Sequence, residues 1–111
     1  MNSSIAPHPE LLGLIELDQA GTVLYSRLDR KGASSDIKGR NFYSEVAAFK
    51  NVEDFHRLVD AFTKGRNPAG GFSFNCDFDD CRVPVRVLLA RMSERSNGER
   101  TKSILVHIRQ A

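Results

Sequence analysis

The sequence predicts an α+β fold, a five-stranded antiparallel sheet with a helical crossover packed on one face. Three patterns carry this. Phe72, Phe74, Cys76 and Phe78 alternate with Ser73, Asn75 and Asp77, and Val83, Val85, Val87 and Leu89 alternate with Arg82, Pro84, Arg86 and Leu88. Such period-two alternation marks half-buried strands. Val52, Phe55, Val59 and Phe62 recur at spacings of three and four residues, the stripe of an amphipathic helix that Leu58 widens. Two strands precede this helix and three follow it, without the βαβ alternation that a parallel sheet needs.

Taken in order, residues 1–10 hold prolines and serines without periodicity and read as an N-terminal tail or cap, with a single domain over 11–110. The first strand runs from Leu12 to Asp18 and closes in Asp18-Gln19-Ala20-Gly21, a turn ending on glycine. A second strand from Thr22 to Arg27 completes a hairpin. Asp29 to Lys38 carries loop chemistry. Asn41 is placed to cap a short helix from Phe42 to Ala47, with Glu45 near its positive end. The long helix spans Val52 to Lys64, with Asn51 as its N-cap, Glu53 and Asp54 in its first turn and Lys64-Gly65 closing it. Asn67-Pro68-Ala69-Gly70-Gly71 then breaks the chain before the aromatic strand. Pro84 suits an edge strand or a position whose N–H is unpaired. Ile104, Val106 and Ile108 form the last inward face, after a loop whose turn signal is Asn97-Gly98.

Composition excludes several functions. The 16 basic and 14 acidic residues are interspersed and leave a net charge of +2, so no nucleic-acid footprint is expected. Arg91, Arg95, Arg100 and Lys102 gather, but Glu94 and Glu99 sit among them, which reads as a solvated hairpin loop. No apolar run approaches the ~20 residues of a membrane span, and Met1-Asn2-Ser3-Ser4 lacks the regions of a signal peptide, so a cytoplasmic protein is expected. Cys76 and Cys81 are too few for a zinc site. With Asp79-Asp80 as a two-residue hairpin loop, Cys76 faces Val83 and the thiols lie diagonally across the ladder, unsuited to a disulfide, so both are expected free and mostly buried.

The segment Gly39-Arg40-Asn41-Phe42-Tyr43-Ser44-Glu45-Val46-Ala47-Ala48-Phe49, read with Gly13-Leu14-Ile15-Glu16-Leu17-Asp18, resembles a PAS sensory domain of the photoactive yellow protein type. That family has Gly-x-Asn-Phe-Phe-x-x-Val-Ala-Pro-Cys here, ending in the cysteine that carries its chromophore. In this chain the proline is Ala48 and the cysteine is Phe49. The resemblance extends from about Leu11 to Gln110, through Phe72–Met92 and the closing Ile104-Leu105-Val106-His107-Ile108-Arg109. Ser26 stands where the family has a tyrosine that bonds the chromophore, and the partner glutamate has no clear counterpart, Arg30 lying nearest. With anchor, tyrosine and glutamate gone, the family's photocycle is not implied.

What the resemblance does imply is a pocket between sheet and helices, lined by Ile15, Ser26, Phe42, Val46, Ala47, Phe49, Cys76, Phe78 and Ile108. Phe49 is expected to point into it as an internal plug. Cys76 is expected to be inert, because apolar burial raises a thiol pKa. His56 borders the buried stripe of the long helix, which makes haem an alternative; His107 faces outward and His8 lies in the tail. Asp77, Asp79 and Asp80 read as turn formers, and no catalytic set, phosphate loop or metal site emerges.

On the other side of the sheet, Leu14, Val23, Tyr25, Leu88 and Leu105 are expected to face outward, an apolar set that needs a cover. The expected function is a signal-transduction module without a cofactor, acting as a homodimer or on a partner protein. One alternative is a sensor holding a non-covalent small ligand. Another is a small cone-shaped α+β enzyme, for which Asp18 and Glu45 are the only candidate acids.

Overall fold

Phe55, fully buried, marks the centre of the molecule, where one helix lies across one sheet. The computed structural model describes residues 12–28, 37–96 and 99–111. The expected tail, the loop residues 29–36 with Arg30, and the Asn97-Gly98 turn lie outside these. The strands are β1 (Gly13–Leu17), β2 (Val23–Leu28), β3 (Ala69–Asp77), β4 (Arg82–Ser96) and β5 (Glu99–Gln110). All neighbours pair antiparallel in one sheet of order β2-β1-β5-β4-β3. A π-helical turn, Phe42–Val46, and helix α1, Val52–Lys64, form the crossover between β2 and β3.

Local chemistry explains each element. The Asp18 carboxylate accepts the Ala20 and Thr22 N–H groups at 2.9 and 2.8 Å, closing the β1–β2 turn. Asn41 caps the π turn as expected: its Oδ1 accepts from Tyr43 and Ser44, while the Glu45 carboxylate reaches back to the Asn41 N–H. The turn is wider than an α-helix because the Ala47 N–H bonds the Phe42 carbonyl five residues back. Cys76 pairs with Val83 and the Phe78 N–H bonds the Cys81 carbonyl, so Asp79 and Asp80 do make the β3–β4 turn. β5 ends opposite Val85, and the N–H that Pro84 lacks forgoes at most a terminal bond to Ala111.

Four expectations are corrected. Val23 is buried, not outward. The β1–β2 register slips at Glu16/Leu17, so Val23 faces the inward Leu17 while Tyr25 faces the outward Glu16, and the intervening Leu24 is bulged. Leu58 does not widen the buried stripe but stays 40% exposed, while Phe55 and Val59 of the same helix are buried. Asn51 stands at the N-cap of α1 as expected, its carbonyl accepting the Asp54 and Phe55 N–H groups, but its side chain makes no cap. Its amide donates instead to the Asn75 carbonyl at 2.7 Å and accepts the Asp77 N–H at 3.0 Å, pairing the outer edge of β3. Finally, the basic cluster is no loop. β4 and β5 stay paired to Ser96↔Glu99, beyond the reach of β1 and β3, as a two-stranded ribbon. Residues 93–96 and 99–102 include no apolar residue, so no alternation announced it.

Arg91 lies at the root of this ribbon and turns back onto the helix. Its guanidinium donates to the carbonyls of Phe62, Thr63, Gly65 and Asn67, and it stacks over the Phe62 ring at 4.7 Å. The last carbonyls of a helix have no partners within it, and a planar fork of five N–H donors suits them. Close packing at this end also requires Gly70, since a Cβ there would meet the Phe62 ring at 3.1 Å.

Arg91→Ala is expected to destabilise the protein by about 2 kcal/mol, the scale of losing charged hydrogen bonds to part-buried acceptors. Urea denaturation would show a lower midpoint with an unchanged slope. Arg91→Lys should restore less than half of the loss, because an ammonium cannot span the four carbonyls. An unmoved midpoint in Arg91→Ala would deny the capping role.

Candidate functional site

The pocket implied by the resemblance is occupied by side chains. Phe49 is 3% exposed and packs edge-on against Phe55, Phe74 and Phe78 with centroids 5.6, 6.0 and 6.1 Å away. Phe55 in turn meets Phe72 and Phe74 at 5.6 and 5.3 Å. Such edge-to-face geometry is what aromatic quadrupoles favour. Ile15, Phe42, Cys76 and Ile108 are buried in the same core, and Val46, Ala47 and Phe78 are half-buried against it. Ser26, half-buried, sits opposite Ile15 on β2.

The open space lies elsewhere. A cleft of about 490 Å³ separates α1, from His56 to Thr63, from the root of the β4–β5 ribbon and the β1–β2 turn. Leu17, Val59, Met92 and Ile104 supply its apolar surface, and Asp18, Gln19, Tyr43, His56, Asp60, Thr63, Arg66, Arg91, Ser93, Lys102 and Ser103 its polar one. None of the residues expected to line a pocket borders this cleft. Phe49 packs among the aromatic residues of β3, and the cleft lies apart from it, with Tyr43 of the π turn and Arg91 of β4 among its walls.

Tyr43 is held in the cleft by neighbours on two sides. His56 stacks on its ring at 3.8 Å with the planes 9° apart. Gly21 approaches it closely, since a Cβ there would meet ring carbons at 2.9 Å, and the φ of +89° at Gly21 suits glycine alone. The Asn41 amide donates to the Ala20 carbonyl at 2.9 Å and fixes that approach. Burial first, then the Asp60 carboxylate, hold the Tyr43 hydroxyl well above its ordinary pKa, so it remains a hydrogen-bond donor. Sequence periodicity gave no hint of this arrangement, because Tyr43 and His56 come from separate elements.

The other candidates are accounted for. His56 is exposed and flat against Tyr43. Asp18 and Glu45 are engaged with backbone N–H groups, Asp77 pairs with Arg82 at 2.7 Å and Asp79 with Lys50 at 3.0 Å. Both cysteines are free. Burial, then the Asp77 carboxylate, push the Cys76 thiol up to about 12, and burial and Asp80 also raise Cys81. Among the described residues no three of His, Cys, Asp and Glu gather as metal ligands, and no helix is long and apolar enough to cross a membrane.

On the outer sheet face Tyr25, Leu88 and Met92 are 46%, 40% and 41% exposed, and Leu14 and Leu105 half-exposed. The chain matches no protein-family model and no curated protein.

Two outcomes are expected of these residues. Phe49→Ala should cost about 3–5 kcal/mol in denaturant unfolding, as for other buried aromatic truncations; an unchanged midpoint would place the ring in solvent. The Cys76 thiol should resist a thiol-specific disulfide reagent in the native protein and react on unfolding. Because folding raises its pKa, the stability it contributes is complete below its ordinary value of 9.0 and declines as pH rises from there towards about 12. Rapid labelling of both native thiols at neutral pH would contradict this.

Proposed function

We propose that this chain is a PAS-like regulatory module that acts by protein contact and carries no covalent chromophore. The supporting frame is the antiparallel sheet with its helical crossover on one side, and Phe49 packed where the family's chromophore anchor would lie. The single observation that carries the reading is the apolar outer face of the sheet. Helix and π turn cover the inner face, while Leu14, Tyr25, Leu88, Met92 and Leu105 remain at the surface without cover among the described residues. Grouped apolar residues of this kind mark contact sites.

The occupant proposed is a second copy. Two rows run across the outer face, Leu88-His107-Leu14-Arg27 and Ala90-Leu105-Glu16-Tyr25. An antiparallel two-fold lays the first row of one copy on the second row of the other. Leucines then meet Leu105 and Tyr25, and Arg27 and His107 approach Glu16. That is the self-complementarity an isologous dimer requires. Haem through His56 and catalysis through Asp18 or Glu45 have no such support, because the imidazole is exposed on Tyr43 and both acids serve turns.

Sedimentation should find a dimer burying about 1,000 Å² or more, and Leu105→Glu or Leu88→Glu should each shift it to monomer with the circular dichroism unchanged. Wild type that stays monomeric near ~1 mM, where even a contact of about −4 kcal/mol is half-formed, would end the proposal. The purified protein should also be colourless with an unmodified mass of 12.4 kDa; a visible band or added mass would show a cofactor.

A further inference from the structure

We infer that the cleft between α1 and the β4–β5 ribbon is a binding site for a small organic anion with an apolar body. It goes beyond the dimer proposal and is argued from different residues, Met92 alone of those named for the outer face also bordering the cleft. Size is the first ground: about 490 Å³ falls within the range of small-molecule sites. Leu17, Val59 and Ile104, all buried to 9% exposure or less, give the cleft an apolar floor.

The sign of the ligand follows from which polar groups are already engaged. Asp18 accepts two backbone N–H groups, Asp60 pairs with Lys64 at 3.0 Å, and Arg91 donates to four carbonyls. Arg66, Lys102 and the Tyr43 hydroxyl line the same cleft with no hydrogen-bond or ion-pair partner among the described residues. The engaged groups thus include both acids, and the unengaged ones are two cations, the Tyr43 hydroxyl and the neutral side chains of Gln19 and Ser93. A carboxylate or phosphate head offers the acceptors that these groups lack. Tyr43 is also held in place before any ligand arrives, between His56 and Gly21, so its hydroxyl is ordered without loss of rotamer freedom on binding. Arg66 and Lys102, both exposed, stand at the rim and can close on the head.

Three probes separate the parts of this claim by titration of the full chain in two-dimensional NMR. 2-Naphthoate carries charge and apolar body, 2-naphthamide the body alone, and inorganic phosphate the charge alone. 2-Naphthoate is expected to bind about tenfold more tightly than either of the others, shifting the amides of Val59, Thr63 and Ile104. Equal binding of 2-naphthamide would remove the charge requirement, and equal binding of phosphate the apolar body; either overturns the inference. So would shifts confined to the outer-face amides of Leu88 and His107. Arg66→Ala combined with Lys102→Ala should weaken 2-naphthoate about tenfold with the unfolding midpoint unchanged, and undiminished binding by that variant would also overturn it. Tyr43→Phe keeps the ring in its stack and should weaken 2-naphthoate severalfold without affecting 2-naphthamide. The dimer constant of the double variant should equal that of wild type, so failure here and failure of the outer-face proposal remain distinguishable.

Discussion

The attachment of a single helix to the sheet by polar side chains at both of its ends is the constraint on which the rest of this fold depends. A lone helix buries one stripe, and the stripe here is narrow: Phe55 and Val59 are buried while Leu58 is in water. Apolar packing alone sets a helix's distance from a sheet but weakly fixes its direction. Asn51 supplies one fixed point by completing the edge of β3, and Arg91 the other by gripping the carbonyls where α1 ends and the chain turns into β3. The two contacts also solve local problems. Edge N–H and C=O groups invite foreign strands, and a helix's terminal carbonyls need donors. Orientation of α1 comes from satisfying both.

With α1 so fixed, the volumes of the aromatic residues decide where space remains. Phe42, Phe49, Phe72, Phe74 and Phe78 surround Phe55 and close the region beside the π turn. Packed interiors leave few voids, so a phenylalanine at position 49 removes a pocket instead of lining one. Toward the C-terminal end of α1 the facing residues change to Thr63, Arg66, Ser93 and Lys102, which are drawn to water and do not interdigitate. The cleft is the result.

The alternating and helical segments could be read from the sequence because each has one wet face and one dry face. β3, the central part of β4, and α1 were legible to within a few residues for that reason, and so was the Asn41 cap, a local device. The ribbon was not, since residues 93–96 and 99–102 include no apolar residue and a strand without an apolar set has no period to detect. Val23 was misplaced by one bulged residue, which reverses every facing beyond it. Arg91 and Asn51 looked like a loop cation and a helix cap. Their partners lie about 25 residues away in the chain, and pattern analysis sees only neighbours. The cleft escaped for the same reason, its walls coming from β1, the π turn, α1, β4 and β5.

The cleft and the outer face share β4 and β5. Because side chains alternate across a strand, Ile104 and Lys102 line the cleft while Leu105 faces outward, and Arg91 faces α1 while Met92 faces out. Beyond Ala90 and Ile104 the two strands have only each other, and a two-stranded hairpin is marginal by itself. In the complexes proposed above, an anion would draw Lys102 towards Arg66, and a second copy would rest on Met92 of the same ribbon. Each event would order an element that the other also needs ordered, so the coupling would be positive. A sheet whose ribbon were already rigid would give none, and a dimer constant unmoved by saturating 2-naphthoate would identify that case. The direction of the effect follows from the alternation: β5 carries Lys102 on the cleft side and Leu105 on its reverse.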